Sequence, residues 1–135
     1  MLVKDLIWDN TLSVQIQEID EDHRRLVDLF NLLNHAVGDD ERKDYIEAIL
    51  EELISCTIWH FRHEERLMLK YDYPGYSEHK KEHEELIDSI KALQQQRKQE
   101  GKHITNNDVE FLEHWLTGHI LGTDMDLGAY LSEVM

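Results

Sequence analysis

Histidine and acidic side chains recur at helical spacing between His60 and His83. His60 is followed four residues later by Glu64, His79 is followed four residues later by His83, and the turn sequence Tyr73-Pro74-Gly75 separates the two pairs. Residues four apart lie only about 40° apart around an α-helix, so both members of a pair point the same way. Imidazole nitrogens and carboxylate oxygens are ligands that first-row transition metals accept. The stretch therefore predicts a metal site between two neighbouring helices.

Four helical segments must position these ligands, and each is indicated by a stripe of inward residues with a period near 3.5. The predicted helices cover residues 19–38, 40–71, 74–101 and 105–133, and residues 1–18 are predicted to form an extended arm over one end of a bundle. Asp20 is a predicted N-cap and Gly38 a predicted stop of the first helix. Short links favour antiparallel neighbours. We therefore expect one all-α domain over residues 1–135, an up-down-up-down antiparallel four-helix bundle.

Every predicted helix carries a histidine at an inward position of its stripe. These five residues are His23, His60, His79, His83 and His119. A single buried imidazole is most often an ordinary core residue, but an unpaired buried polar group costs on the order of 1–3 kcal/mol. Five such groups without a shared binding partner would cost most of a domain's net free energy of folding. We therefore predict that the five imidazoles share a metal.

Asp124 is the expected carboxylate partner of His119, although the two residues are five apart. On a continuous α-helix this spacing places them about 140° apart, on different faces. Gly118 and Gly122 bracket the segment and allow a break or a wound-out turn. We therefore predict that the last helix is disrupted between His119 and Asp124, which returns the carboxylate to the site.

Composition narrows the classes of partner. The 135 residues are 41% hydrophobic and 32% charged, as in ordinary globular domains, and carry a net charge of −15. Without a basic patch, neither nucleic acid nor an anionic membrane surface is an expected partner. Cys56 is the single cysteine, which excludes an intrachain disulfide and a thiolate cluster. There is no apolar run of membrane-spanning length. We expect a cytoplasmic location and, from the acidic surface, a monomer.

The ordered motifs resemble the hemerythrin family, specifically its single-domain bacterial members. The motifs that carry the resemblance are His23; His60-Phe61 with Glu64-Glu65 and Met68; Tyr73-Pro74 with His79 and His83; and Trp115-Leu116 with His119-Ile120 and Asp124. The region around Trp8 and the Ile19-Asp20 lead-in to His23 also look like the family, so the likeness covers nearly the whole chain. Leu127 departs from the pattern, because some members place a tyrosine there.

The resemblance implies two non-haem iron ions bridged by an oxo or hydroxo group. It also implies that the carboxylates of Glu64 and Asp124 bridge the same two ions. His79, His83 and His119 would bind one iron, and His23 and His60 the other. This ligand set leaves the second iron one ligand short, and dioxygen would bind there, end-on, as a hydroperoxide.

The same resemblance implies an apolar dioxygen pocket. Its lining residues would be Leu26, Phe61, Trp115 and Ile120. With no proton donor nearby, the bound O–O bond is not cleaved, so we expect reversible dioxygen binding for storage, transport or delivery to an oxygen-consuming enzyme, and no catalysis. The alternatives are an oxygen, redox or iron sensor, and an enzyme that handles nitric oxide or peroxide.

Several neighbouring polar residues receive no ligand role. Oxygen activation by a ferritin-like diiron enzyme is disfavoured, because the single Glu-x-x-His sequence, Glu100 to His103, lies at a helix end. Glu65 is expected to face away from Glu64 and to support the site through a second-layer contact or salt bridge. The remaining histidines are expected at surface or boundary positions: His35, His63, His103 and His114.

Overall fold

The described part of the chain, residues 4–135 of a computed structural model, is helical and contains no strand. The helices are α1 (Gln17–Gly38), α2 (Lys43–Lys70), α3 (Tyr76–Glu100), α4 (Asn106–His119) and α5 (Met125–Val134), and a π-helical turn (Ile120–Asp124) joins the last two. Since α4, the π turn and α5 form one uninterrupted helical segment, the chain is a four-helix bundle. The predicted fold class is confirmed.

The start of α1 differs from the sequence-based expectation. The helix begins at Gln17 and Asp20 lies inside its first turn, so Asp20 is not the N-cap that the sequence suggested. Its carboxylate instead accepts hydrogen bonds from the backbone N–H of Val14 at 2.8 Å and from the hydroxyl of Ser13 at 2.5 Å. Asp20 therefore fastens the arm to α1. The predicted stop at Gly38 coincides with the observed last residue of α1.

The N-terminal arm completes the core rather than covering it loosely. Leu12 is buried in the main apolar cluster, while Val14 and Ile16 are buried in a second cluster with residues of α5. The side chain of Asn31 on α1 both accepts from the backbone N–H of Leu6 and donates to its carbonyl, each at 2.8 Å. The arm therefore packs both at the start of α1 and alongside its second half.

The arm passes so close to α5 that one position there has room only for glycine. A Cβ atom on Gly128 would lie 2.4 Å from the carbonyl oxygen of Val14 and 2.8 Å from its Cβ. Replacing Gly128 by alanine is therefore expected to lower the free energy of unfolding by about 1–3 kcal/mol, the usual cost of overpacking. Urea denaturation followed by circular dichroism measures this loss.

Gly118 provides the matched control, because a Cβ there meets nothing within 4 Å. Gly118→Ala is expected to be neutral or to stabilise the helix by up to about 1 kcal/mol, the difference in helix propensity. Equal unfolding midpoints for the two alanine variants would show that the arm does not press on α5 in solution.

Candidate metal centre

The structure brings all seven predicted ligands to one buried point near an end of the bundle. They form two sets whose candidate ligand atoms lie within 4.8 Å of one another, one of Glu64, His79, His83, His119 and Asp124, the other of His23, His60, Glu64 and Asp124. The two carboxylates belong to both sets, and each is fully buried. The grouping of three histidines on one side and two on the other is the one that the resemblance implies.

Each carboxylate turns one oxygen to each set of histidines. On the three-histidine side, Oε1 of Glu64 lies 2.9 Å from Nε2 of His83, and Oδ1 of Asp124 lies 3.0 Å from Nε2 of His119. On the two-histidine side, Oε2 of Glu64 lies 3.1 Å from Nε2 of His60, and Oδ2 of Asp124 lies 2.9 Å from Nε2 of His23. This is the arrangement of carboxylates that bridge two metal ions.

The spacing between ligand atoms fits six-coordinate metal ions. Metal–ligand bonds of about 2.0–2.2 Å place neighbouring ligand atoms of an octahedron about 3 Å apart. Nε2 of His79 meets this spacing too, at 3.1 Å from Oδ1 of Asp124 and 3.4 Å from Oε1 of Glu64. The donor atoms are therefore already at the separation that a shared cation requires.

The buried polar atoms also lack other partners. Nε2 has no hydrogen-bond partner among the described residues in four of the five histidines, which are His23, His60, His79 and His119. The same holds for Oε2 of Glu64 and for both carboxylate oxygens of Asp124. Unsatisfied buried polar atoms are rare in folded proteins and call for a physical explanation. Two metal ions with mixed nitrogen and oxygen ligands would satisfy all of these atoms at once.

The π turn explains how Asp124 reaches the site. In a π-helix the hydrogen bonds run between residues five apart, so residues at that spacing lie on the same face, as residues four apart do in an α-helix. The predicted disruption between His119 and Asp124 is therefore a locally wider helix. Gly118 and Gly122 have ordinary helical backbone and nothing within 4 Å of a Cβ, so neither glycine is sterically required here.

Three of the five histidines are held from behind by carboxylates. Asp22 lies 2.9 Å from Nδ1 of His60, Glu65 lies 2.9 Å from Nδ1 of His83, and Glu82 lies 2.7 Å from Nδ1 of His119. Such partners fix the tautomer and ring orientation of a ligating imidazole. The support expected from Glu65 is thus observed. Asp22 and Glu82 were missed, although each directly precedes a predicted ligand in the sequence.

His63 is also more involved than its surface assignment suggested. Its Nδ1 lies 2.6 Å from Oδ2 of Asp22, the atom that His60 also contacts, and its Nε2 lies 3.2 Å from Glu18. A sequence signal existed, because His63 lies three residues after His60 and so shares a side of α2 with it. His63 therefore lies behind the ligands as part of their support.

The carboxylates favour the protonated form of His60 and of His79 when no metal is bound. Burial alone would lower the pKa of His60, but the charge of Glu64 and the hydrogen bond with Asp22 outweigh burial and raise it to about 10. Burial would also lower the pKa of His79, but the nearby carboxylates of Asp124 and Glu64 outweigh burial and raise that pKa to about 9. Burial would raise the pKa of Glu64, yet the charge of His60 holds it well below its usual value. Metal ions must therefore displace protons to bind.

This proton balance predicts how pH affects the metal-free chain. The histidines titrate near 6.5 when unfolded and at about 9 to 10 at His79 and His60 when folded, so their stabilisation is complete below pH 6.5 and is lost as the pH rises through the folded values. Glu64 acts oppositely, and its contribution is lost as the pH falls below 4.5, the ordinary pKa of a glutamate. We expect the urea midpoint of the chelator-treated protein to fall between about pH 7 and pH 9.5.

Metal binding provides the control for this pH effect. Imidazoles must be deprotonated to ligate, so the affinity for metal is expected to increase over the same pH interval. The metal-loaded chain should then lose less stability than the metal-free chain. A metal-free midpoint that stays constant or rises over this interval would contradict the proton assignment.

A small apolar cavity lies against the ligand cluster. It has about 10 Å³ for the centre of a water-sized molecule, which is room for roughly one such molecule. The four predicted pocket residues, Leu26, Phe61, Trp115 and Ile120, all line it together with Thr57, Leu86, Leu116, His23, His60 and His119. Both members of the two-histidine set therefore face the cavity.

Thr57 is the cavity residue that sequence reasoning missed. It is buried, and its hydroxyl donates to the backbone carbonyl of Leu53 at 2.7 Å. Threonine at this point of the α2 stripe gave no signal, because a hydroxyl satisfied within its own helix is common in cores. The indole N–H of Trp115 is engaged as well, in a 2.9 Å hydrogen bond to the carbonyl of Leu86.

The fold and the site define a four-helix bundle with a candidate dinuclear centre of five histidines and two carboxylates. Residues 14–131 match the model of the hemerythrin HHE cation-binding domain. The chain belongs to the hemerythrin family.

Similar proteins support this membership. A bacteriohemerythrin of Stenotrophomonas maltophilia is 33% identical over 96% of this chain and 81% of its own length. A bacteriohemerythrin of Pseudomonas aeruginosa is 35% identical over 88% of this chain and 76% of its own length. A crystal structure of wild-type hemerythrin, 26% identical, superposes with a TM-score of 0.87 and covers 94% of this chain and 98% of its own. Among the described residues, no helix is long and apolar enough to cross a membrane.

Proposed function

We propose that this protein binds dioxygen reversibly at two non-haem iron ions held by the seven clustered ligands. The observation that carries the proposal is the pair of shared carboxylates, Glu64 and Asp124, which face three histidines on one side and two on the other. Three histidines would hold one ion and two the other, so the two-histidine side would have one protein ligand fewer and room for an external one. Two ferrous ions held there would supply, one from each ion, the two electrons for the reversible reduction of dioxygen.

The cavity supports binding of dioxygen on the less coordinated side. It is lined by both histidines of the two-histidine side, His23 and His60, by His119, and otherwise by apolar side chains and Thr57. The hydroxyl of Thr57 and the indole of Trp115 both donate to backbone carbonyls, so neither directs its proton into the cavity. A dry cavity without a free donor from these residues favours release of dioxygen over cleavage of its O–O bond.

The metal content and the absorption spectrum of the reduced protein test this proposal directly. Spectra are taken before air, after air and after purging with inert gas. We expect two irons per chain and visible charge-transfer bands that appear in air and disappear on purging. Zinc or no metal in protein purified from iron-supplied cells and then reconstituted with ferrous ion would overturn the diiron assignment.

The alternatives differ in the fate of those bands. Bands that persist after purging, or rapid oxidation to a form that no longer responds to air, would favour a sensor or an enzyme that handles peroxide or nitric oxide. The same proposal includes the storage of bound dioxygen or its delivery to an oxygen-consuming enzyme. It also includes a cytoplasmic location and a monomeric state.

A further inference from the structure

Phe61 separates the metal-facing cavity from the outside of the bundle. Its side chain lines the small inner cavity, and it also lines an open groove of about 420 Å³ between α2 and α3. On α3, the neighbouring residues Leu86 and Ile87 line the inner cavity and the groove respectively. The partition between the two spaces is therefore about one side chain thick at this point.

The ring of Phe61 is held in place chiefly by stacking. It lies parallel to the imidazole of His83, with centroids 3.8 Å apart and an interplanar angle of 5°. The residue is only 5% exposed, so other side chains cover nearly all of the ring. Nothing polar anchors a phenyl side chain, and rotation about its χ angles can open the partition without breaking a hydrogen bond.

The groove has the character of a path for small uncharged molecules. Its apolar floor is formed by Phe61, Ile58 and Ile87. Three basic side chains (Arg62, Lys80 and Lys91) and three acidic ones (Glu65, Glu84 and Asp88) surround this floor, so its charges balance. An ion must shed its hydration to pass the phenyl ring and the apolar side chains beside it, which is costly, whereas an uncharged diatomic molecule has little hydration to lose.

We propose that small uncharged molecules enter the metal-facing cavity through the α2–α3 groove and that the ring of Phe61 is the gate. The identity of the molecule, dioxygen, rests on the proposed function, but the route does not. Narrowing the groove at Ile87 slows entry, and a smaller side chain at Phe61 accelerates it. The gate sets the rate of access and leaves the equilibrium at the metal ions to the ligands themselves.

Dioxygen quenching of Trp115 fluorescence measures this access without iron. Trp115 lines the inner cavity and is only 7% exposed. Trp8→Phe and Trp59→Phe in the full chain leave it as the single reporter. Zinc replaces iron, because the same ligands accept it and it has no redox chemistry, and chelator-treated protein provides a second series. The rate constant for quenching is compared between Phe61→Leu, Ile87→Phe and the parent.

Leu93→Phe is the control, since Leu93 is a half-buried α3 residue that packs against the core. We expect a several-fold rise for Phe61→Leu, a several-fold fall for Ile87→Phe and no change for Leu93→Phe. Quenching that is equal in all four proteins, in both series, would overturn the gate. A correct quenching order in a chain whose iron form binds no dioxygen would keep the gate and reject the proposed function.

Discussion

Glu64→Gln is expected to abolish the binding of a pair of metal ions. Glu64 is fully buried and turns one oxygen to each set of histidines, so on the proposed function an amide at this position would remove a charged ligand from both ions together. Elemental analysis after reconstitution with ferrous ion should therefore find far less than two irons per chain. Circular dichroism of the same sample tests whether the bundle still forms.

Substitutions of two other glutamates, for which we expect an intermediate effect and no effect on metal binding, are the controls. Glu65→Gln alters the group behind His83 and is expected to weaken metal affinity about 10- to 100-fold, the usual effect of such a contact. Glu85→Gln changes an exposed side chain and should leave the metal content unchanged. Two tightly bound irons in the Glu64→Gln protein would contradict the assignment of Glu64 as a bridging ligand.

Ile120→Glu is expected to end reversible dioxygen binding. Ile120 is 1% exposed and lines the cavity, so a carboxyl group there enters the space next to the two-histidine side. On the proposed function, this carboxyl group would donate a proton to the bound dioxygen or would itself bind the metal ion of the two-histidine side. The absorption bands that form in air should then be absent or should decay without recovery on purging.

Leu121→Glu adds the same group one residue further, where the side chain is 51% exposed. This control is expected to bind dioxygen as the parent does. Ile120→Leu keeps the apolar volume and should also retain reversible binding. If the Ile120→Glu adduct formed reversibly and lasted as long as that of Leu121→Glu, the apolar cavity would not be the reason for reversibility.

The sequence predicted the fold and the positions of the clustered residues well, because both rest on local periodicity. Helical spacing places His60 beside Glu64 and His79 beside His83 whatever the rest of the chain does. Because every helix has at least one histidine in its buried stripe, a shared metal site requires that the four stripes face one another. The bundle follows from the same stripes, since each must bury an apolar face against the others.

The contacts that the sequence did not predict depend on distances between elements. The carboxylate of Asp22 reaches His60 across 38 positions of the chain, and that of Glu82 reaches His119 across 37. The residue periodicity within a single helix cannot predict a contact between two different helices. Asp20 shows the opposite error, since a residue typical of helix caps holds the arm from inside the first turn.

The π turn affects how the sequence of this segment aligns with those of related proteins. One stripe of buried residues runs along this segment on both sides of the turn: Leu112, Leu116, His119, Asp124, Leu127 and Leu131. Without one residue of the turn, their spacing would be four, three, four, three and four, which is an unbroken α-helical stripe. The segment therefore contains one extra residue, and the π turn accommodates it within a single turn. As a result, the buried residues of α5 stay on the same side of the helix as those of α4.

The extra residue widens the backbone beside Asp124, whereas Glu64 approaches from a regular α-helix with a side chain that is one carbon longer. A wider backbone thus compensates for a shorter carboxylate side chain. In an alignment with a related sequence, a gap of one residue in this turn is therefore compatible with the same metal centre.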